Sequence, residues 1–136
     1  MRRRSGERRV DRGVAAVEFA LLLPILLGVT LGAIDWGYFF FVKQRVVNAA
    51  REGARAGAVI DPDDGWAEAQ TTAQEAAEAY LTSVGLTAQG VDVVQEDIGG
   101  TDGIKVTITY PTGSLTGYLS SVLPANAVGI SHMRWE

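Results

Sequence analysis

The sequence predicts an α+β protein: a long N-terminal transmembrane helix continues into a small domain, in which one further helix packs on a sheet of about three antiparallel strands. Residues 14–42 form an apolar stretch with only two charged residues, Glu18 and Asp35. Beyond it, small and apolar residues first recur at helical spacing. Over Ile104–Tyr110 they alternate with polar residues, which is typical of a half-buried strand. The change of period divides the chain into a helical half and a sheet-forming half.

The apolar stretch is long enough to cross a bilayer. As a helix it would measure roughly 43 Å at about 1.5 Å per residue, and the hydrocarbon core needs only about 20 residues. Aromatic residues crowd its C-terminal end, as expected at a membrane interface: Trp36, Tyr38, Phe39, Phe40 and Phe41. A cleavable secretory signal is the alternative, but its apolar core would exceed the usual ~7–15 residues, and its best cleavage site, Thr30–Gly32, is poor. We therefore expect a permanent single-pass anchor.

The charges on either side of this helix predict its orientation. Residues 1–13 are rich in arginine, whereas the chain after Val42 has an excess of acidic residues. Because basic residues stay in the cytoplasm, we expect a cytoplasmic N-terminus, although Lys43 and Arg45 weigh weakly against it. The predicted organisation is a basic cytoplasmic leader (1–13), a transmembrane helix (14–42) and an extracytoplasmic domain (43–136).

The domain is predicted element by element. The first helix continues to Ala58 with a narrow face of small residues, which packs against either the chain's own domain or another subunit: Val46, Ala50, Gly53, Ala54 and Gly57. Asp61–Gly65 is typical of an aspartate-capped helix start, and Gly85 ends that second helix near Val84. Its predicted core face comprises Trp66, Ala69, Ala73, Ala76, Ala77, Tyr80 and Val84. Strands are expected from Val91, over Ile104–Tyr110 and over Ala127–Trp135, and the ambiguous segment Leu115–Leu123 fits a short helix.

Composition argues against several classes of function. The chain has no cysteine, which excludes disulfides and thiolate metal sites. Its only histidine, His132, cannot build a metal site alone, and no nucleophile-elbow motif is present. The leader arginines are not interleaved with aromatic residues, as nucleic-acid binding would favour. We therefore expect no enzymatic activity, cofactor, metal, nucleic acid or small-molecule substrate.

Three features within the apolar stretch require an explanation. A carboxylate at the bilayer centre costs about 2.5–3.5 kcal/mol. Asp35 lies roughly 25 Å along the helix from Glu18, which predicts a water-exposed position at the outer interface. Glu18, at the start of the span, has no such explanation. Gly28 and Gly32 form a GxxxG pair, whose small residues would let another helix pack closely.

The segment around Glu18 resembles a type IV prepilin processing site. It reads Arg12-Gly13-Val14-Ala15-Ala16-Val17-Glu18-Phe19. The resemblance implies that a prepilin peptidase cuts after Gly13, so that Val14 becomes the N-terminus and Glu18 the fifth residue of the mature chain. By the same resemblance, Glu18 would pair with the free amine of a neighbouring subunit.

A second run, after the membrane helix, resembles the TadE-like proteins, which are minor pseudopilins of the tight-adherence (Tad/Flp) pilus system. It extends from Asn48 to Arg55, and its motif residues are Asn48, Arg51, Glu52, Gly53 and Arg55. The pair Asp35-Trp36 adds to the resemblance. Position 19 is phenylalanine, whereas major Flp pilins typically have tyrosine there, and the chain is longer than those pilins. Both departures favour a minor pseudopilin over the fibre subunit.

The resemblance implies a role in assembling or anchoring a Tad/Flp-type pilus in the inner membrane, and hence in adherence and biofilm formation. The implied partners are the lipid bilayer, a prepilin peptidase, other pilin-like or pseudopilin subunits and the Tad inner-membrane machinery. The alternative is a membrane-tethered binding module of the cell envelope that is unrelated to pilus assembly, in which the helix is only an anchor.

Overall fold

Two helices are followed by three strands in a computed structural model, which describes residues 4–61, 63, 65–87 and 89–135, with side chains from Gly13 onward. The elements are α1 (Arg4–Ala58), α2 (Trp66–Ser83), β1 (Val91–Asp97), β2 (Asp102–Pro111) and β3 (Asn126–Arg134). The predicted α+β class is therefore confirmed. The side chains of the arginine-rich leader before Gly13 lie outside the described residues.

Helix α1 has an exposed apolar part and a part that is buried in the domain. It runs without interruption through Pro24, and within the described residues its Gly13–Ala58 part is the one helix long and apolar enough to cross a membrane. Most large apolar side chains of its first part, from Val14 to Ile34, are exposed, whereas Phe39, Val42 and others further along are buried in the domain. The same helix thus supplies both the candidate membrane span and part of the domain core.

The three strands form an antiparallel meander in the order β1-β2-β3. Val93 of β1 pairs with Val106, which in turn pairs with Ser131 of β3. The alternation expected in β2 is confirmed, because Ile104, Val106 and Ile108 are all buried. Helix α1 packs on β2 and β3, and α2 packs beside it against β1, so both helices contribute to one core.

Small residues allow the elements to approach closely. A Cβ atom at Gly53 would lie 2.7 Å from the carbonyl oxygen of Ala73, and one at Gly57 would lie 2.8 Å from the Cβ of Ala73. Two turns earlier on α1, a Cβ at Gly129 of β3 would lie 2.5 Å from the Val46 carbonyl oxygen. Part of the small-residue face of α1, Gly53 and Gly57, therefore packs against α2 of the same chain.

Two local predictions are wrong. No aspartate caps α2: Gly65 occupies the cap position without a side-chain hydrogen bond, and the Asp61 carboxylate instead accepts a bond from the Asp63 amide at 3.0 Å. Pro62 and Asp64 lie outside the described residues. Leu115–Leu123 forms turns and bends in place of a short helix, since hydroxyl groups in this segment bond backbone amides and so compete with helical bonding.

The predicted core face of α2 is confirmed in part, because Ala69, Ala73 and Ala77 are buried. Leu81 is a further buried member that was not predicted, and Tyr80 is only half-buried against the core. Gly85 follows the helix with φ of 77°, a left-handed conformation that suits glycine and ends the helix as predicted.

Candidate functional site on the membrane helix

Asp35 lies at the centre of a docking site for the loop between β2 and β3, residues 112–125, which we call the β2–β3 loop. Its carboxylate has no exposed surface. The hydroxyl groups of Ser114 and Thr116 donate hydrogen bonds to Oδ2 at 2.6 and 2.8 Å, and the Leu119 amide donates to the same oxygen at 3.1 Å. The Thr116 amide donates to Oδ1 at 2.8 Å. The prediction that Asp35 contacts water at the interface is therefore wrong.

The loop forms a shell of donors around this acidic side chain. The Gly117 amide donates to the Ser114 hydroxyl oxygen at 2.7 Å, and the Tyr118 amide to the Thr116 hydroxyl oxygen at 3.2 Å. Each hydroxyl therefore links a loop amide to the carboxylate. A buried carboxylate is stabilised only when its lone pairs are satisfied, and here four donors satisfy them.

Gly28 and Gly32 lie under the tip of the same loop. A Cβ atom at Gly28 would lie 2.7 Å from the Tyr118 hydroxyl oxygen, and one at Gly32 would lie 3.6 Å from Cδ1 of Leu119. The chain's own loop thus occupies part of the face that the GxxxG pair presents. Packing of a second helix on this pair stays a prediction.

The residues of the prepilin-like segment are exposed on the N-terminal part of α1. Gly13 is helical, with open space around the position of a Cβ atom. Val14 and Glu18 are both exposed, and Glu18 makes no ion pair with any residue that the structure describes. The positions of these residues do not test cleavage after Gly13 or the assembly role of Glu18, and both stay predictions.

The motif after the membrane segment divides into a packing residue and a polar surface. Gly53 packs against α2, as described above. Asn48, Arg51, Glu52 and Arg55 line a shallow groove on α1 with Ser131 and Met133 of β3. Arg55 donates to Glu52 at 2.7 Å, which lowers the pKa of the Glu52 carboxyl below its ordinary value. This surface is ion-paired and accessible.

His132 takes part in a second cluster of charges, on the outer face of the sheet. Its Nδ1 lies 2.6 Å from Oε2 of Glu96, and the Lys105 ammonium lies 3.4 Å from Oε1. The hydrogen bond with His132, and then Lys105, lowers the pKa of the Glu96 carboxyl. Within the described part of the chain, no three such side chains are grouped to hold a metal ion.

Sequence reasoning identified Gly28, Gly32 and Asp35 as unusual but missed the loop that joins them. The helix and the loop are about 80 residues apart in sequence, and the donors are ordinary serine and threonine side chains without periodicity. The only available signal was a segment free of charge, residues 112–125, in an otherwise charged domain.

The N-terminal part of the chain is similar to a known protein family. Residues 13–55 match the model of a family described as TadE-like protein. No curated protein and no solved structure matches the chain. The matched segment contains the exposed apolar part of α1, Asp35 and the Asn48–Arg55 motif, and the TadE-like family is a family of pilus components. Over residues 13–55 this chain is therefore similar to the TadE-like proteins.

Proposed function

We propose that this protein is a minor pseudopilin that assembles or anchors a Tad/Flp-type pilus from the inner membrane. The observation that carries the proposal is the family match, since residues 13–55 include the whole exposed apolar part of α1 together with the motif that follows it. A plain membrane anchor would need only the apolar residues.

The exposed part of α1 supports lateral packing in the membrane. From Val14 to Ile34 its apolar side chains are available to lipid and to other helices, over a length of roughly 30 Å at about 1.5 Å per residue. Glu18 is the one acidic residue of this part. A carboxylate in a lipid-exposed position is costly, and pairing with the free amine of a neighbouring subunit would offset that cost.

The continuity of α1 would transmit helix packing to the domain. Asp35, Phe39 and Val42 fix the domain on the same helix that carries the apolar span. No flexible linker separates the two parts, because α1 is helical throughout. Packing of the membrane helices would therefore also fix where each domain lies.

We place the N-terminus in the cytoplasm and the domain on the extracytoplasmic side of the inner membrane. The leader arginines support this orientation through the tendency of basic residues to remain in the cytoplasm. The proposed partners are a prepilin peptidase, other pilin-like subunits and the Tad inner-membrane machinery.

Processing of the leader tests the proposal. In cells with a cognate prepilin peptidase, we expect a mature chain that begins at Val14, measured as an intact mass. Gly13→Leu should block cleavage, because its side chain would crowd the approach of the peptidase to the backbone. Gly37→Leu is the matched control, since both glycines are helical with open space at the Cβ position.

The result also separates the proposal from its alternative. A wild-type chain that keeps its leader in cells with an active Tad system would contradict processing. It would favour the membrane-tethered binding module, for which removal of a leader has no purpose.

A further inference from the structure

The β2–β3 loop combines exposed apolar side chains with a position beside the membrane helix. We propose that this loop is a second membrane-contacting element, which places Leu115, Tyr118 and Val122 in the lipid leaflet next to the domain. The proposal requires that α1 spans a bilayer and is independent of the pilus role and of the direction in which the helix is oriented.

The position of the loop along α1 gives its depth. Charged leader residues up to Arg12 place one hydrocarbon boundary near Gly13, and about 20 residues then cross a core of about 30 Å. The other boundary falls near Gly32 to Asp35. Tyr118 contacts α1 at Gly28, which lies about 6–10 Å inside that boundary at about 1.5 Å per residue.

The chemistry of the loop suits this depth. Residues 112–125 contain no Asp, Glu, Lys, Arg or His. Leu115, Tyr118 and Val122 are 62%, 56% and 64% exposed, respectively, although each has a large apolar surface. Tyrosine is favoured where one end of a side chain lies in an apolar layer and the other near water. The exposed surface of the loop thus continues the apolar surface of α1.

A groove at the loop tip is lined mostly by apolar residues. Tyr118 forms one side of it, and Pro24, Ile25, Gly28 and Val29 of α1 form the other. All of these α1 residues lie on the membrane side of Asp35. The groove therefore faces hydrocarbon, and a lipid acyl chain is the ligand that its lining would bind.

The backbone amides at the loop tip, from Thr116 to Leu119, are all hydrogen-bonded within the protein. Irregular backbone at membrane depth is tolerated only when its polar groups are satisfied within the protein. The Asp35 carboxylate accepts hydrogen bonds from the amides of Thr116 and Leu119. The hydroxyl oxygens of Ser114 and Thr116 accept hydrogen bonds from the amides of Gly117 and Tyr118, respectively. The Leu119 carbonyl accepts the amides of Val122 and Leu123 at 3.0 Å each. Asp35 thereby stabilises the conformation that can enter the leaflet.

The absence of cysteine from the chain permits a direct test with single introduced cysteines. Leu115→Cys and Val122→Cys would carry an environment-sensitive fluorophore in phosphatidylcholine vesicles that contain nitroxide-labelled lipid, at a low protein-to-lipid ratio. Val59→Cys is the matched control for Val122, since Val59 is 74% exposed at the end of α1, far from the membrane. Val29→Cys, 69% exposed within the span, reports insertion of the helix.

We expect several-fold stronger quenching and blue-shifted emission at positions 115 and 122 relative to position 59, with position 29 also quenched. Quenching at position 29 but not at 115 or 122 would place the loop in water and overturn the proposal. Quenching at none of the sites would remove its premise that α1 spans the bilayer. Shielding of 115 and 122 that appears only at high protein-to-lipid ratio, with disulfide cross-links between chains of the same variants left unlabelled, would assign the surface to a second protein and also overturn it.

Discussion

Replacing Gly53 with valine is expected to destabilise the domain strongly. The position of its Cβ is 2.7 Å from the Ala73 carbonyl oxygen and 3.0 Å from the Ala77 Cβ, so α2 would have to move away from α1. Overpacking of this kind costs about 1–3 kcal/mol, and for a domain of this size the melting temperature falls by roughly 5–20 °C. Near-ultraviolet circular dichroism in detergent measures the transition, because Trp66 and Trp135 pack edge to face in the domain.

Gly37→Val provides the matched control for this substitution. Gly37 belongs to the same helix, but nothing lies within 4 Å of the position of a Cβ atom there. Both variants share the change in helix propensity, so only the close approach of α2 distinguishes them. Equal melting temperatures of the two variants would show that α1 and α2 do not pack as described.

Replacing Asp35 with alanine is expected to release the β2–β3 loop from α1. The substitution removes the acceptor of four partly buried hydrogen bonds that hold the loop on α1. Amide hydrogen exchange at Thr116 and Leu119 should accelerate by about tenfold or more, since local opening determines the exchange rate.

Two comparisons separate loop release from general unfolding. The Thr112 amide, at the base of the loop, donates to the Ala125 carbonyl oxygen at 2.8 Å and should keep its exchange rate. Asp92→Ala removes an exposed carboxylate from β1 and should leave the loop unchanged. Wild-type exchange at Thr116 and Leu119 in the Asp35→Ala protein would show that Asp35 does not hold the loop.

The elements that could be predicted are those that a local pattern specifies. The alternation of Ile104, Val106 and Ile108 identifies a strand with one buried face, and the structure buries all three. The small residues Gly53 and Gly57 indicated close packing, but the sequence left its partner open. Only the fold shows that α2, with Ala73 at the contact, is that partner.

The error over Asp35 has a physical origin. An acidic residue near a membrane boundary is equally compatible with water and with an internal set of donors. The sequence pattern around it is the same in both cases. The choice depends on the β2–β3 loop, whose Ser114 and Thr116 reach Asp35 across about 80 residues of sequence. The loop carries no helical or strand period that could have located it.

The packing partner of the GxxxG pair, Gly28 and Gly32, could not be identified from the sequence for a related reason. GxxxG spacing reports only that the helix surface is open enough for a close approach. Tyr118 of the loop makes such an approach within the chain. A helix of another subunit would use the same property, so spacing alone cannot identify the partner.

The most direct test of the proposed assembly role uses Glu18→Ala, with Glu75→Ala on the exposed face of α2 as the matched control. Removing a carboxylate from the apolar span should leave membrane insertion unchanged or slightly improved, because the charge costs up to about 2.5–3.5 kcal/mol at the bilayer centre and less near its edge. The measurement is crosslinking within the membrane to pilin-like subunits, together with surface piliation, both normalised to protein abundance. We expect Glu18→Ala to lose crosslinking and pili while Glu75→Ala retains both. A Glu18→Ala protein that crosslinks and supports pili like the wild type would contradict the assembly role of this residue.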